Sequence, residues 1–316
     1  SVIVVTRGGY IKRMPLKTFE SQRRGTRGKK GTSDSSAGDE VAHCFTCNDH
    51  DTLLMVTQKG IAFGLRAYQI PIGARTAKGA PIPSVLPLNN DDEITAILPV
   101  AEFSDDNFIV LATENGWIKK TSLSAFEKLT SRGLTIATLA ENDRLMWSKL
   151  CTDNDDILVG SKKGMATRFQ ASDLRPTGRT SRGVRSMKLK EGDSVADMNV
   201  LSRKGGEGEF MLTVTSAGYG KRVPCDEFRS KARGGVGVIA LKFKVSSEND
   251  DVKCLRTVRE NDEILVITSK GIMVREKVTD VPSQSRTATG VIIQKLDEGD
   301  RISSVSVVPT YEESDE

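Results

Sequence analysis

The densest chemistry in the chain lies between Ser21 and Gly31, SQRRGTRGKKG. Arg23, Arg24, Arg27, Lys29 and Lys30 stand close together with no acid among them, and Gly25, Gly28 and Gly31 recur at every third position. Glycine at that density opposes a helix by roughly 1 kcal/mol per residue against alanine. Unpaired like charges cannot enter a core either. The stretch therefore reads as a surface loop. Its glycines let backbone N–H groups approach an anion and its cations neutralise charge, which suits a phosphate backbone. A solvated basic loop without a partner is the alternative at this stage.

A second cluster, HCFTCNDH, sets His43 and His50 around Cys44 and Cys47. The spacing is compatible with zinc, but this C-x-x-C stands alone and lies on a strand-like stretch, so no metal is expected. With Cys151, Cys225 and Cys254 the cysteines number five, an odd and scattered set that suits free thiols in a reducing compartment.

The basic loop has to be carried by a scaffold, and the scaffold is repetitive. Six times an apolar run ends in Thr or Ser, turns at a glycine and returns as a second strand: VIVVTRGGYIKR, LLMVTQKGIAFG, FIVLATENGWIKK, ILVGSKKGMATR, FMLTVTSAGYGKR and ILVITSKGIMVR. The turn glycines are Gly9, Gly60, Gly116, Gly164, Gly218 and Gly271, spaced 48 to 56 residues apart. Tight hairpin turns need positive φ, which glycine adopts cheaply. Most repeats add a basic–small–Gly step and alternating apolar residues, as in TSRGLTIATL and TSRGVRSMKL, then an acidic turn and another apolar strand. Six units of about fifty residues and four short strands predict an all-β, six-bladed, propeller-like array. One such array uses residues 1–316 as a single domain with a short acidic tail at 311–316. The chain starts at Ser1, inside a strand pattern, and so reads as a fragment. It shows no signal peptide and no apolar run long enough for a membrane span.

The net charge is only +4, so placement of charge matters more than its sum. Four residues beyond the turn glycines stand Arg13, Gly64, Lys120, Arg168, Arg222 and Arg275; Lys12, Lys119 and Lys221 precede three of the cations. Before the second glycine stand Lys78, Arg132, Arg182 and Arg233, then Thr289 in the last repeat. A cation repeated at one register becomes a band of charge in a radial array. The acids gather in turns, as at Asp91, Asp92 and Glu93. The expectation is a basic rim that binds duplex DNA by its backbone and bends it. Smooth bending of a 20–30 bp site costs about 1–6 kcal/mol. Aromatic residues follow the turn glycine in only some repeats, so base stacking is not favoured.

These residues resemble the C-terminal domains of the DNA gyrase A family, the six-bladed β-pinwheels. Gln22, Arg23, Arg24, Gly25, Thr26, Arg27 and Gly28 match the GyrA box, Q-[RK]-R-G-G-[RK]-G, at six of seven positions. The departure is Thr26, where glycine is usual. The resemblance spans the whole chain and includes GYIKRMPLKTFESQRRG and NDDEITAILPV. It implies non-specific duplex DNA binding and chiral wrapping. The wrap would support ATP-dependent negative supercoiling by a holoenzyme of type IIA topoisomerase, an A2B2 assembly that includes the breakage-reunion domain and the gyrase B partner. Catalytic residues, ATP and magnesium would lie elsewhere; the fragment alone would be a monomeric, non-enzymatic module. The resemblance also implies a cytoplasmic, nucleoid-associated place in a bacterium, with an organelle as the other possible setting. A topoisomerase IV domain, a WD-repeat or kelch interaction propeller and a propeller enzyme are the competing readings. They are disfavoured respectively by the box, by the absence of repeated Trp-Asp or Gly-Gly signatures, and by the presence of only two histidines.

Overall fold

The structure is a computed structural model that describes residues 1–17, 41–74, 76–203, 209–246 and 249–308. The box at 22–28, Lys29, Lys30 and the tail at 311–316 lie outside the described residues.

Each repeat builds the same motif, and the Thr or Ser closing the first strand explains why it recurs. That residue's carbonyl accepts the turn glycine's N–H, as from Gly9 to Thr6 and from Gly164 to Ser161, both 3.1 Å. Its side-chain oxygen accepts the next N–H: Tyr10 to Thr6, Ile61 to Thr57, Trp117 to Thr113, Met165 to Ser161, Tyr219 to Thr215 and Ile272 to Thr268, all between 3.1 and 3.3 Å. One hydroxyl residue thus satisfies two N–H groups of the turn. The acidic turns have a matching internal role. Asp92 accepts from the N–H of Lys59 and Glu93, Asp193 from Lys163 and Ser194, and Asp300 from Lys270 and Arg301. They tie the start of the third strand to the hairpin tip.

Six small antiparallel sheets result, the blades of an all-β propeller. In spatial order they are Val41–Thr46, Val2–Thr6, Tyr10–Met14 and Ala80–Pro81; Ile94–Val100, Thr52–Thr57, Ile61–Arg66 and Leu134–Thr135; Leu145–Cys151, Phe108–Thr113, Trp117–Ser122 and Val184–Arg185. Then come Val195–Ser202, Asp155–Ser161, Met165–Gln170 and Val238–Ile239; Val252–Arg259, Glu209–Thr215, Tyr219–Pro224 and Val291–Ile292; and finally Ile302–Val308, Glu263–Thr268 and Met273–Lys277, a sheet of three strands among the described residues.

The fourth strand is not what the repeat boundaries suggest. In five sheets it is a two-residue strand supplied by the following repeat, after that repeat's own hairpin: Ile11 pairs with Ala80, Ile118 with Val184, and Ala166 with Val238. The glycine that opens each donated strand has positive φ and passes close to its host. A Cβ on Gly183 (φ +97°) would lie 2.3 Å from the carbonyl oxygen of Ile118; on Gly237 (φ +83°) it would lie 2.4 Å from that of Ala166. Gly183→Ala combines positive-φ strain with a backbone clash and is expected to lower stability by about 2–3 kcal/mol, read as a shifted urea midpoint.

The chain divides into two compact units. One comprises Ser1–Asp105, Thr121–Ser148 and Gly178–Ser181, with a core around Ile3, Leu53, Met55, Phe63 and Ile97. The other comprises Asp106–Lys120, Lys149–Thr177 and Arg182–Glu316, with cores around Leu158, Met211 and Leu255 and around Leu212, Val266 and Ile302. Alternating strand positions fill these cores, as the period-two pattern requires. No helix among the described residues is long and apolar enough to cross a membrane.

Candidate nucleic-acid interface

The two cation registers have opposite fates. Four members of the first, the fourth residue past the turn glycine, are turned inward. The Arg13 guanidinium donates to the carbonyls of Ile70 (3.2 Å) and Tyr68 (3.3 Å) and pairs with Asp49 at 3.5 Å. The Lys120 ammonium donates to Ala171 O at 3.0 Å, pairs with Asp153 at 2.5 Å and lies 4.3 Å from the Phe108 ring centre. Arg168 donates to the carbonyls of Cys225 and Phe228 and pairs with the buried Asp156 at 2.8 Å. Arg222 donates to Val281 O at 2.7 Å and stacks on Phe210. In every case the carbonyl acceptor belongs to the 3-10 turn of the next repeat or to the residue that ends it, at Ala67–Gln69, Ala171–Asp173, Cys225–Glu227 or Val278–Asp280.

Side-chain exposure is 14 % for Arg13, 1 % for Lys120, 11 % for Arg168 and 13 % for Arg222. This corrects the expectation of a rim series at that register. Each cation has exchanged hydration for fixed carbonyls and joins one repeat to the next, which leaves little of it for phosphate. Arg275 is the exposed member, and it bonds Glu263 of its own hairpin.

The preceding lysines serve the same end. Lys221 donates to the carbonyls of Ser285 (2.9 Å), Arg286 (2.7 Å) and Ala288 (2.8 Å), the loop leading into the donated strand. Lys12 does likewise to Ala74 and Ala77. Burial pushes the ammonium of Lys221 down to about 8 and that of Lys119, at the equivalent place, also to about 8.

The second register faces outward. Lys78, Arg132 and Arg182 are exposed, each immediately before the glycine that opens a donated strand. Arg233 departs from the series. The structural equivalent of Gly79, Gly133 and Gly183 is Gly237, and Gly234–Gly235 is an insertion that folds back, with Gly234 N–H on Ser186 O and Lys188 N–H on Gly235 O. Arg233 is half-buried and donates to Arg185 O at 2.7 Å.

The sequence reasoning missed several residues. Arg185 and Lys244 are exposed cations that match neither register. Tyr10 and Trp117, which follow the turn glycine in only some repeats, and Tyr219 each carry an exposed cation on the ring. Lys78 lies 4.2 Å from the Tyr10 ring centre, Arg185 4.1 Å and Arg182 5.6 Å from that of Trp117, and Lys244 4.9 Å from that of Tyr219. At the cysteine cluster, Cys44 is exposed and Cys47 half-buried; burial raises the Cys47 thiol. No group of three His, Cys, Asp or Glu among the described residues is arranged to hold a metal.

Comparison with known proteins places this arrangement. The family described as DNA gyrase C-terminal domain, beta-propeller, matches residues 1–48, 51–101, 107–151, 155–202, 209–252 and 262–309, segment by segment with the six repeats. The chain is 41% identical to the DNA gyrase A protein of Synechocystis sp., over 98% of its own length and 39% of the relative's, and 37% identical to that of Haloquadratum walsbyi, over its full length and 37% of the relative's. It thus spans about two fifths of these relatives. Among solved structures it resembles a DNA gyrase A C-terminal domain (TM-score 0.73, 26% identity, 97% of this chain and 98% of that one). It shares its fold with the C-terminal domain of DNA topoisomerase IV (TM-score 0.83, 24% identity, 97% and 92%). Six blades of about fifty residues, each matched in turn, show that the chain belongs to the DNA gyrase C-terminal domain family of β-propellers.

Proposed function

We propose that the chain binds duplex DNA without sequence preference and wraps it with a fixed hand, as the wrapping portion of a gyrase A protein. The observation that carries this reading is the outward register. Lys78, Arg132 and Arg182 stand at one structural position, on the loop before the outermost strand, in a chain of this family. Evenly repeated point charges suit phosphates, whose spacing does not depend on sequence. No recognition helix accompanies them among the described residues.

In the longer protein the chain presents a wrapped segment for strand passage. The nucleophile lies in the N-terminal breakage-reunion part, and ATP and magnesium act with the gyrase B partner in an A2B2 assembly in the bacterial cytoplasm. The chain alone contributes no reacting group. The box from Gln22 to Gly28, with Lys29 and Lys30, adds further phosphate contacts and fixes the sense of the wrap.

The test is plasmid topology. The chain is added to relaxed closed circles with a type I topoisomerase, protein is removed, and linking number is read on a gel. A positive shift that fades with salt is expected, with most of it lost in the triple variant Arg23→Ala, Arg24→Ala, Arg27→Ala. Binding without a shift overturns chiral wrapping. A full shift by the triple variant removes the box from the wrap.

A further inference from the structure

The first, third and fifth repeats carry a pair of residues that the second, fourth and sixth lack. After the turn glycine they have Tyr10, Trp117 and Tyr219, and two residues later Lys12, Lys119 and Lys221. The other three have Ile61, Met165 and Ile272, followed by Phe63, Thr167 and Val274. Residues two apart on a strand share a face, so ring and lysine lie side by side. Lys12 holds the carbonyls of Ala74 and Ala77, and the next residue, Lys78, lies on Tyr10. The fifth repeat repeats the holding at Ser285, Arg286 and Ala288, and its ring receives Lys244. Trp117 receives two guanidiniums, of Arg182 and Arg185, and Arg233 donates to the backbone carbonyl of Arg185.

We propose that these three rings are seats for the strongest phosphate contacts of the chain, with Trp117 the foremost. This rests on the DNA-binding reading above. A long cationic side chain loses rotamer freedom when it grips a phosphate. A ring that holds it beforehand removes that loss from the binding step. The seat also leaves the charge intact. A π face attracts a cation without neutralising it, whereas Lys59 on Asp91 and Arg275 on Glu263 are already matched to acids. Arginine over indole is the best of these pairs, because the guanidinium plane stacks on the ring; Arg185 gives one N–H to Asn115 O at 2.9 Å, and its other N–H groups can meet a phosphate. Two guanidiniums on one indole, where each tyrosine carries a single lysine, make Trp117 the most concentrated of the three seats.

The experiment uses the 316-residue chain and a fluorescently labelled duplex of random sequence, with anisotropy titrations at several salt concentrations. Trp117→Leu is expected to weaken binding roughly tenfold and to reduce the salt slope by about one to two, as one or two phosphate contacts are lost. Trp117→Phe keeps a π face and stays close to wild type. Met165→Leu, at the equivalent position of the fourth repeat, changes neither quantity. Melting curves show whether each variant is folded. If Trp117→Leu is not, the double variant Arg182→Gln, Arg185→Gln leaves the ring in place and is expected to show the same loss. Wild-type affinity and slope in Trp117→Leu or in that double variant overturn the seats while the DNA reading stands, as does an equal loss in Met165→Leu. Failure of the wild-type chain to bind the duplex overturns both.

Discussion

Lys221→Met lowers the stability of the chain by about 3 kcal/mol, measured by urea denaturation. The methionine preserves length and apolar contact, so the loss comes from the ammonium. Three carbonyls, of Ser285, Arg286 and Ala288, receive its N–H groups. Hydrogen bonds to a charged donor are worth roughly 1.5–3 kcal/mol each, while Ser285 O keeps the Ala288 N–H and Ala288 O the Lys242 N–H. Relief of the ammonium's own desolvation offsets part of that sum. The pH dependence identifies the group. Burial holds the native ammonium at about 8, against an ordinary value of 10.5. Between those values the unfolded chain binds more protons than the native one, so this lysine's contribution to stability rises as pH increases from about 8 to about 10.5. The gap between wild type and Lys221→Met therefore widens over that window. A variant as stable as wild type at pH 7 contradicts the holding role, and a gap that narrows over that window contradicts the lowering of the ammonium by burial.

The triple variant Lys78→Gln, Arg132→Gln, Arg182→Gln binds duplex DNA roughly five-hundredfold more weakly at 0.1 M salt. Each phosphate contact releases counterions with a slope near −0.9, worth a factor of about eight at that concentration, and three contacts are removed. The slope falls by about 2.7 for the same reason. All three side chains are exposed, so melting is nearly unchanged. Arg168→Met gives the opposite result. It leaves Asp156, 4 % exposed, with Arg203 as its remaining guanidinium, and it removes the guanidinium from the carbonyl of Phe228 and from that of Cys225, which keeps only the Phe228 N–H. Stability falls by about 3 kcal/mol, and the salt slope of the folded protein stays the same. A slope change in Arg168→Met, or none in the triple variant, reverses the assignment of the two registers.

Much of the fold was legible because it rests on turn chemistry that repeats. Thr6 to Gly9 and Thr268 to Gly271 show the same hydroxyl-and-glycine turn in the first and last repeats. The donated strands were harder to read. Two residues such as Val184–Arg185 carry no periodicity, and only the close approach of Gly183 to Ile118 betrays their host. The two cation registers look alike in sequence because both are basic residues at fixed steps from a glycine. What separates them is whether a carbonyl-rich turn from the next repeat lies within reach, a tertiary fact that residue type does not encode. Arg233 was aligned to Gly234, although the host contact belongs to Gly237. The alternation of Tyr10, Trp117 and Tyr219 with Ile61, Met165 and Ile272 was present throughout. It is visible once pairs of repeats rather than single repeats are taken as the period.

Borrowed strands also bear on how such a chain comes into being. Pairs such as Tyr10–Pro81, Trp117–Arg185 and Tyr219–Ile292 lie 68 to 73 residues apart. During synthesis, at about 5–20 residues per second, each of the first five hairpins emerges and then waits several seconds for the residues that complete its sheet. Throughout that interval its second strand presents an open edge to other nascent chains. Completion passes along the polypeptide in one direction, each repeat sealing the one made before it. Premature termination therefore leaves two defects: the last repeat is missing, and the repeat before it is unsealed.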